Sequence, residues 1–245
     1  MIRTFALAAL AFALSTPGTA RAAVFGMDKA EVEATIRSYL LDHPELIREV
    51  LEKYAEQERL RLEKEQKDAL SVNRAALEYD PSAPVVGNPD GDVTIVEFYD
   101  YNCGYCKTMF PKIMQTVKTD GNIRWVLKDL PTLRPSSFLA AAAGLAANKQ
   151  GKFLEMHKAL MTHRGEAGER EITAFAKRIG LDMEKFRADM RSAEFDVLIR
   201  NNKILAKKLG FRRIPDIIVG DTVFGGAMSD EDLIDAVRAA REQKK

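Results

Sequence analysis

Cys103 and Cys106 are the only cysteines in the chain, separated by Gly104 and Tyr105. A strand-like run, Val93 to Tyr99, leads into them, and a helix-like run, Lys107 to Val117, leads out. The pattern predicts Cys103 at a helix N-terminus and Cys106 one turn inside. Unpaired backbone N–H groups and the helix dipole favour a thiolate there over a thiol. Such a cysteine can fall from a pKa of roughly 8.5 into a range of about 3.5–7.5. A thiolate with a second thiol one turn away can carry out thiol–disulfide exchange, Cys103 as the outward-facing nucleophile and Cys106 as the shielded resolving group. Zinc would need two more ligands, and His43, His157 and His163 have no spacing that supplies them. Haem attachment would need a histidine where Lys107 stands. A structural disulfide would close too small a loop to constrain the chain much. No metal and no cofactor is expected.

The elements that must position this pair follow in order. Residues 1–22 read as an export signal, with Arg3, an apolar run from Phe5 to Leu14, and the small-x-small site Ala20-Arg21-Ala22. Cleavage after Ala22 would remove two of the 37 basic residues and no acid, leaving 35 against 36 acidic. That balance points away from nucleic acid. An exported chain with one C-x-x-C pair uses it for chemistry and not for stapling.

Met27 to Tyr79 reads as helical, interrupted at Asp42-His43-Pro44. Val32, Ile36, Tyr39 and Leu40 form one apolar stripe, and Leu46, Ile47, Val50, Leu51 and Tyr54 another. From Glu56 to Lys67 the stripe nearly vanishes and charge dominates, as in a solvated helix or a flexible linker. A helical segment with this much apolar face must pack on the main domain or on copies of itself; self-association is the favoured reading. Residues 23–80 are therefore taken as a helical oligomerisation segment with its linker, and residues 81–245 as the catalytic domain.

Asp80 to Pro84 marks the boundary, and Gly87 to Gly91 a turn. Ile123 to Leu127 is a second strand, giving strand–helix–strand and parallel pairing. Residues 136–210 carry helices only. Ile217 to Val219 and Thr222 to Phe224 form a hairpin around Gly220-Asp221, and Ser229 opens the last helix with Asp232 as its capping acid. The order is β-α-β…β-β-α with a helical insertion. The Ala141–Ala143 run and the methionines read as packing, and His157 and His163 as structural or surface groups.

Glu97 lies mid-strand, six positions before Cys103 and on the face shared by Ile95 and Tyr99. Burial there would raise its pKa and let it exchange a proton with Cys106. The alternative is a structural ion pair, with Lys128 as the plausible partner.

Val96-Glu97-Phe98 ahead of Cys103-Gly104-Tyr105-Cys106, the helical insertion, and Arg213-Ile214-Pro215 before the hairpin together resemble the DsbA-like branch of the thioredoxin superfamily. The resemblance runs from about Val85 to the C-terminus and implies an α/β thioredoxin-like fold with an inserted helical subdomain. It also implies a cis-proline at Pro215, so that Ile214 and Pro215 form one wall of a substrate groove with Gly104 and Tyr105. A trans proline opening an edge strand is the other reading of Pro215. Gly104-Tyr105 lacks a histidine to stabilise the thiolate, and it resembles the dipeptide of DsbC-type isomerases; both imply a less oxidising disulfide. The N-terminal layout is similar to that of oligomeric ScsC-type proteins.

The leading expectation is a periplasmic disulfide isomerase or reductase acting on unfolded or misoxidised exported proteins. It would be a homo-oligomer through the N-terminal helices, kept reduced by a membrane reductase. The alternatives are a DsbA-like oxidase and a peptide-binding, chaperone-like module.

Overall fold

The computed structural model describes residues 28–243. The expected export signal and Met27 lie outside the described residues. The chain divides into two compact units, residues 1–58 and 59–245.

In the first unit, α1 (Lys29–Asp42) is followed by the start of α2 (Pro44–Glu78). Asp28 caps α1 reciprocally: its carboxylate accepts from the Glu31 N–H at 2.9 Å, and Glu31 accepts from the Asp28 N–H at 3.2 Å. The expected break at Asp42-His43-Pro44 is present, with His43 against the Tyr39 ring and Pro44 opening α2. None of the described residues of this unit is buried, and Ile36, Tyr39, Val50, Leu51 and Tyr54 are exposed.

In the second unit, α2 passes through the charged stretch as continuous helix, with Arg59–Glu63, Arg61–Glu65 and Lys64–Asp68 pairs one turn apart. Such pairs support a helix by a few tenths of a kcal/mol each, about 0.2–0.5. Here the structure departs from the expected boundary at residue 80. Leu70 and Leu77, two turns apart on one face, are buried among Phe98, Leu205, Leu209 and Ile218. The last turns of α2 therefore belong to the catalytic unit.

The sheet has the order β1-β3-β2-β4-β5. β2 (Val93–Tyr99), α3 (Gly104–Asp120) and β3 (Ile123–Asp129) form the expected parallel unit. β4 (Asp216–Val219) and β5 (Thr222–Gly225) form the hairpin, with β4 antiparallel to β2. One strand was not foreseen. β1 (Val85–Gly87) pairs antiparallel with β3, and three residues are too few for alternation to show. Its Gly87 has φ +86°, and a Cβ there would lie 2.5 Å from the Ile123 carbonyl oxygen.

The insertion comprises α4 (Pro135–Asn148), α5 (Phe153–Thr162), α6 (Glu169–Ile179), α7 (Met183–Asp189) and α8 (Ala193–Lys208). α9 (Asp230–Glu242) starts from the Ser229–Asp232 capping box. The sheet is packed on both faces. Ile95, Tyr99, Trp125 and Ile217 share a core with Cys106, Met109 and Ile113 of α3. Val96, Phe98, Val126 and Ile218 share the other with Leu70, Leu77 and Leu205.

Candidate active site

β2 delivers the chain to the head of α3, where the Asp100 carboxylate fixes the approach. It accepts from the Asn102 N–H at 2.8 Å and from the Thr132 and Leu133 N–H groups at 2.9 and 3.0 Å. One buried side chain thus ties together the loops on either side of the cysteines. The sequence reading did not single it out. Its only signal was an aspartate two residues before Asn102 at a strand end, the signature of an Asx turn.

Cys103 is the N-cap of α3 and Cys106 lies in its first turn. Both are free thiols. Cys103 keeps 6% exposure and Cys106 none. Cys106 is the more enclosed of the two, and Cys103 faces outward less than expected, with the Ile214 carbonyl oxygen 3.5 Å from its Sγ. Between the cysteines Gly104 is exposed with open space about its Cα, and Tyr105 is 67% exposed. The Ile214–Pro215 bond is cis, and β4 begins at the next residue. Lys107 ties the same turn to the loop after α5 through the His163 and Gly165 carbonyls, at 2.7 and 3.0 Å.

The two thiols are driven apart electrostatically. The Cys106 thiol, donating to the Cys103 sulfur, and the backbone N–H groups of Tyr105 and Cys106 bring Cys103 down to about 6. At pH 7 that leaves about nine-tenths of it as thiolate. Burial, with the same shared hydrogen bond and the charge of Glu97, pushes Cys106 up. At neutral pH the pair thus combines a thiolate at the helix head with an enclosed thiol.

Glu97 is 1% exposed, on the α3 face of the sheet as the alternation predicted. Among the described residues, neither carboxylate oxygen has a hydrogen-bond partner. Burial pushes its pKa up to about 8, only partly offset by the Trp125 indole, which lies close without reaching hydrogen-bonding geometry. The proposed Lys128 partner is corrected. Glu97 lies opposite Leu127, so Lys128 points to the other face, where its Nζ meets Asp80 at 2.7 Å.

On the Glu97 face, at the ends of β2 and β3, lies a group of buried polar side chains of which the sequence reading had weighed only His157 for a role. Asp129 is pushed up to about 8 by burial. The Tyr99 hydroxyl lies 3.3 Å from that of Tyr101, which lies 2.9 Å from His157 Nδ1. Burial holds His157 down at about 3, so it is neutral. It is structural, as one of the expected options had it, stacked on Phe153. Among the described residues, no cluster of His, Cys, Asp and Glu could hold a metal.

The thioredoxin family profile named "Thioredoxin" matches residues 79–239. A second profile, described as the copper resistance protein ScsC N-terminal domain, matches residues 28–59. Among solved structures, a thioredoxin-like oxidoreductase from Silicibacter pomeroyi is 43% identical, covering 69% of this chain and 98% of its own, with a TM-score of 0.67. The thiol–disulfide exchange protein alpha-DsbA2 of Wolbachia pipientis is 30% identical over 72% of this chain and 96% of its own, TM-score 0.68. ScsC of Proteus mirabilis in a transitional conformation is 27% identical over 87% of this chain and 97% of its own, TM-score 0.67. Curated relatives include Na(+)/H(+) antiporters named NhaA, and the chain spans 25% of the length of one of them. Among the described residues, no helix is long and apolar enough to cross a membrane.

Proposed function

The chain belongs to the thioredoxin family, and from that premise we propose that it is an exported, periplasmic thiol–disulfide oxidoreductase working as a disulfide isomerase or reductase. The observation that carries this reading is the pair itself: Cys103 caps α3, Cys106 is fully enclosed one turn inside, and the enclosed Glu97 carboxyl acts on Cys106.

The chemistry runs as follows. The Cys103 thiolate attacks one sulfur of a client disulfide. That S–S bond breaks, the Cys103–client disulfide forms, and the other client sulfur leaves as a thiolate. In isomerisation a client thiolate then attacks the mixed disulfide, forming a new client disulfide and returning Cys103 as thiolate, with no net electron transfer. In reduction Cys106 gives its proton to ionised Glu97 and attacks Cys103. The client leaves reduced, the protein holds the disulfide, and a dithiol reductant, here a membrane reductase, must restore it. Glu97 near 8 is about one-tenth ionised at pH 7. It can therefore take the Cys106 proton in one direction and return it in the other.

A Cys103 thiol brought down only to about 6 supports a less oxidising disulfide, as an isomerase or reductase would need. Strong oxidants of this fold hold the thiolate far lower, at about 3.5, and such stabilisation of the reduced form makes a disulfide more oxidising. The apolar residues of α1 and early α2 support self-association, since Ile36, Tyr39, Leu51 and Tyr54 are exposed together. Several thiolates around one client would raise effective concentration during reshuffling.

The test combines three measurements on the mature protein. Alkylation of the reduced form should fall on Cys103 with a pH midpoint near 6. Light scattering should give an oligomer, and a form lacking residues up to Glu58, which keeps the buried Leu70 and Leu77, should be assayed beside it on a substrate with scrambled disulfides. Equal alkylation of both thiols would remove the nucleophile assignment. A monomeric mature protein, or equal reshuffling by the shortened form, would remove the oligomeric isomerase and leave the oxidase.

A further inference from the structure

Beside the cysteines lies a groove of about 690 Å³ between the β3–α4 loop and the end of α8. Its apolar surface includes Leu130, Leu133, Phe211 and Ile214, and Leu133 is half exposed. Lys207, Arg212 and Arg213 rim it, and no carboxylate lines it. Lys207 and Arg212 are exposed, and among the described residues no carboxylate lies within ion-pair distance of either. Arg213 is the partial exception, because its charge acts on Asp216 at the start of β4. A further cation, Lys203, has its Nζ over the Phe138 ring at 4.4 Å. Ile214 joins groove and active site: its side chain lines the groove, and its carbonyl oxygen stands 3.5 Å from Cys103 Sγ.

A thiolate cannot donate a hydrogen bond to that carbonyl, so the contact belongs to the protonated thiol. In the thiolate form the carbonyl is free to accept from a backbone N–H of a chain laid beside Cys103. A chain bound there continues along Ile214 into the groove. We propose that this groove is a subsite for the extended client segment flanking the attacked cysteine, and that it selects segments carrying acidic side chains next to an apolar one. The inference rests on the thiol–disulfide reading above and adds the class of substrate. The physical basis is charge complementarity: clustered like charges beside an apolar wall raise the local concentration of an oppositely charged partner and its rate of encounter.

The probe is a set of short synthetic peptides, each with one leucine and one cysteine carried as a mixed disulfide with thionitrobenzoate. The residues flanking the cysteine are glutamate, serine or lysine. Attack by the Cys103 thiolate on the peptide sulfur forms the Cys103–peptide disulfide and releases thionitrobenzoate, whose colour gives the rate. At low salt the glutamate peptide should react about tenfold faster than the lysine peptide, and the gap should shrink as salt shortens the Debye length. The double variant Lys207→Glu with Arg212→Glu should reverse the order. Its rate with a neutral dipyridyl disulfide should stay unchanged, which shows that fold and nucleophile are intact.

Equal rates for the three peptides, unaffected by the double variant, would overturn the acidic subsite and leave the exchange chemistry standing. No reaction with any peptide disulfide beyond that of free cysteine would instead remove the functional reading beneath it. Binding to phosphatidylglycerol vesicles that the double variant abolishes, with peptide rates unmoved, would assign the groove to a lipid surface and overturn the proposal.

Discussion

The two faces of the central sheet bury charge in opposite ways. On the face packed by α2 and α8, Lys128 is fully enclosed but meets Asp80 at 2.7 Å, and Asp216 is pushed up to about 6 by burial, partly offset by the backbone N–H and the charge of Arg213. On the face packed by α3, Glu97 and Asp129 are equally enclosed, and no cation acts on either. An unpaired buried carboxyl is costly, and the usual outcome is that it takes up a proton. The contrast therefore separates a structural use of buried charge from a use that tolerates instability beside the reacting sulfurs.

The sharpest way to break the comparison is Asp80→Asn. It leaves the Lys128 ammonium buried without its partner, and removing one member of a buried pair costs about 3–5 kcal/mol. The Asp80 side chain is about one-quarter exposed, so the loss should fall at the lower end. Denaturant unfolding should show that loss, with exchange rates of the folded protein unchanged. A stability within 1 kcal/mol of the parent, about a fivefold change in the folding constant, would mean that Lys128 is not held as described.

On the other face Glu97→Gln should act in the opposite sense on stability. The carboxyl is raised from 4.5 to about 8 on folding. Between those values the folded state binds a proton that the unfolded state has released, so stability falls as pH rises from 4.5 to 8. Removing the group should therefore stabilise the protein by on the order of 3 kcal/mol at pH 7 and by little near pH 4. Exchange should slow by about 10²-fold as the base for Cys106 is lost. Faster unfolding at pH 7, or an unchanged pH profile of exchange, would return Glu97 to a structural role.

Asp129→Asn gives the smallest functional effect and sharpens the comparison within one face. Asp129 shares the raised pKa of Glu97, but the leading influences on the two thiols include Glu97 and Asp100 and not Asp129. It should stabilise the protein in the same pH window and change exchange rates by less than about twofold, a difference of roughly 0.4 kcal/mol in barrier. A loss comparable to that of Glu97→Gln would extend the proton path to Asp129 and the Tyr99–Tyr101 hydroxyls.

Local pattern alone determined a good deal. The cysteine pair stands at the start of a helix because an apolar strand run ends four residues before it and a helical run follows. The inserted helices, the hairpin around Gly220 and the Ser229 cap are also written in short-range spacing. So is the face of Glu97, because strand alternation is a property of β2 itself. The interruption at His43-Pro44 follows from proline chemistry within one turn.

What only the tertiary structure decided involves residues far apart in the chain. Lys128 pairs with Asp80 and not with Glu97 because the β2–β3 register sets Glu97 opposite Leu127, and register is fixed by the packing of both strands and not by either alone. β1 exists because β3 offers it an edge, and its three residues carry no period of their own. The end of α2 joins the core of the second unit because Leu70 and Leu77 find Phe98 and Leu205 across the fold, a contact invisible in a mixed helical stretch that continues a highly charged one. Cys103 meets the Ile214 carbonyl across 111 positions of sequence. Spacing along a chain encodes which face of an element a side chain occupies. Which other element meets that face is decided by the free energy of closing the whole core at once, and that sum is not contained in any single stretch.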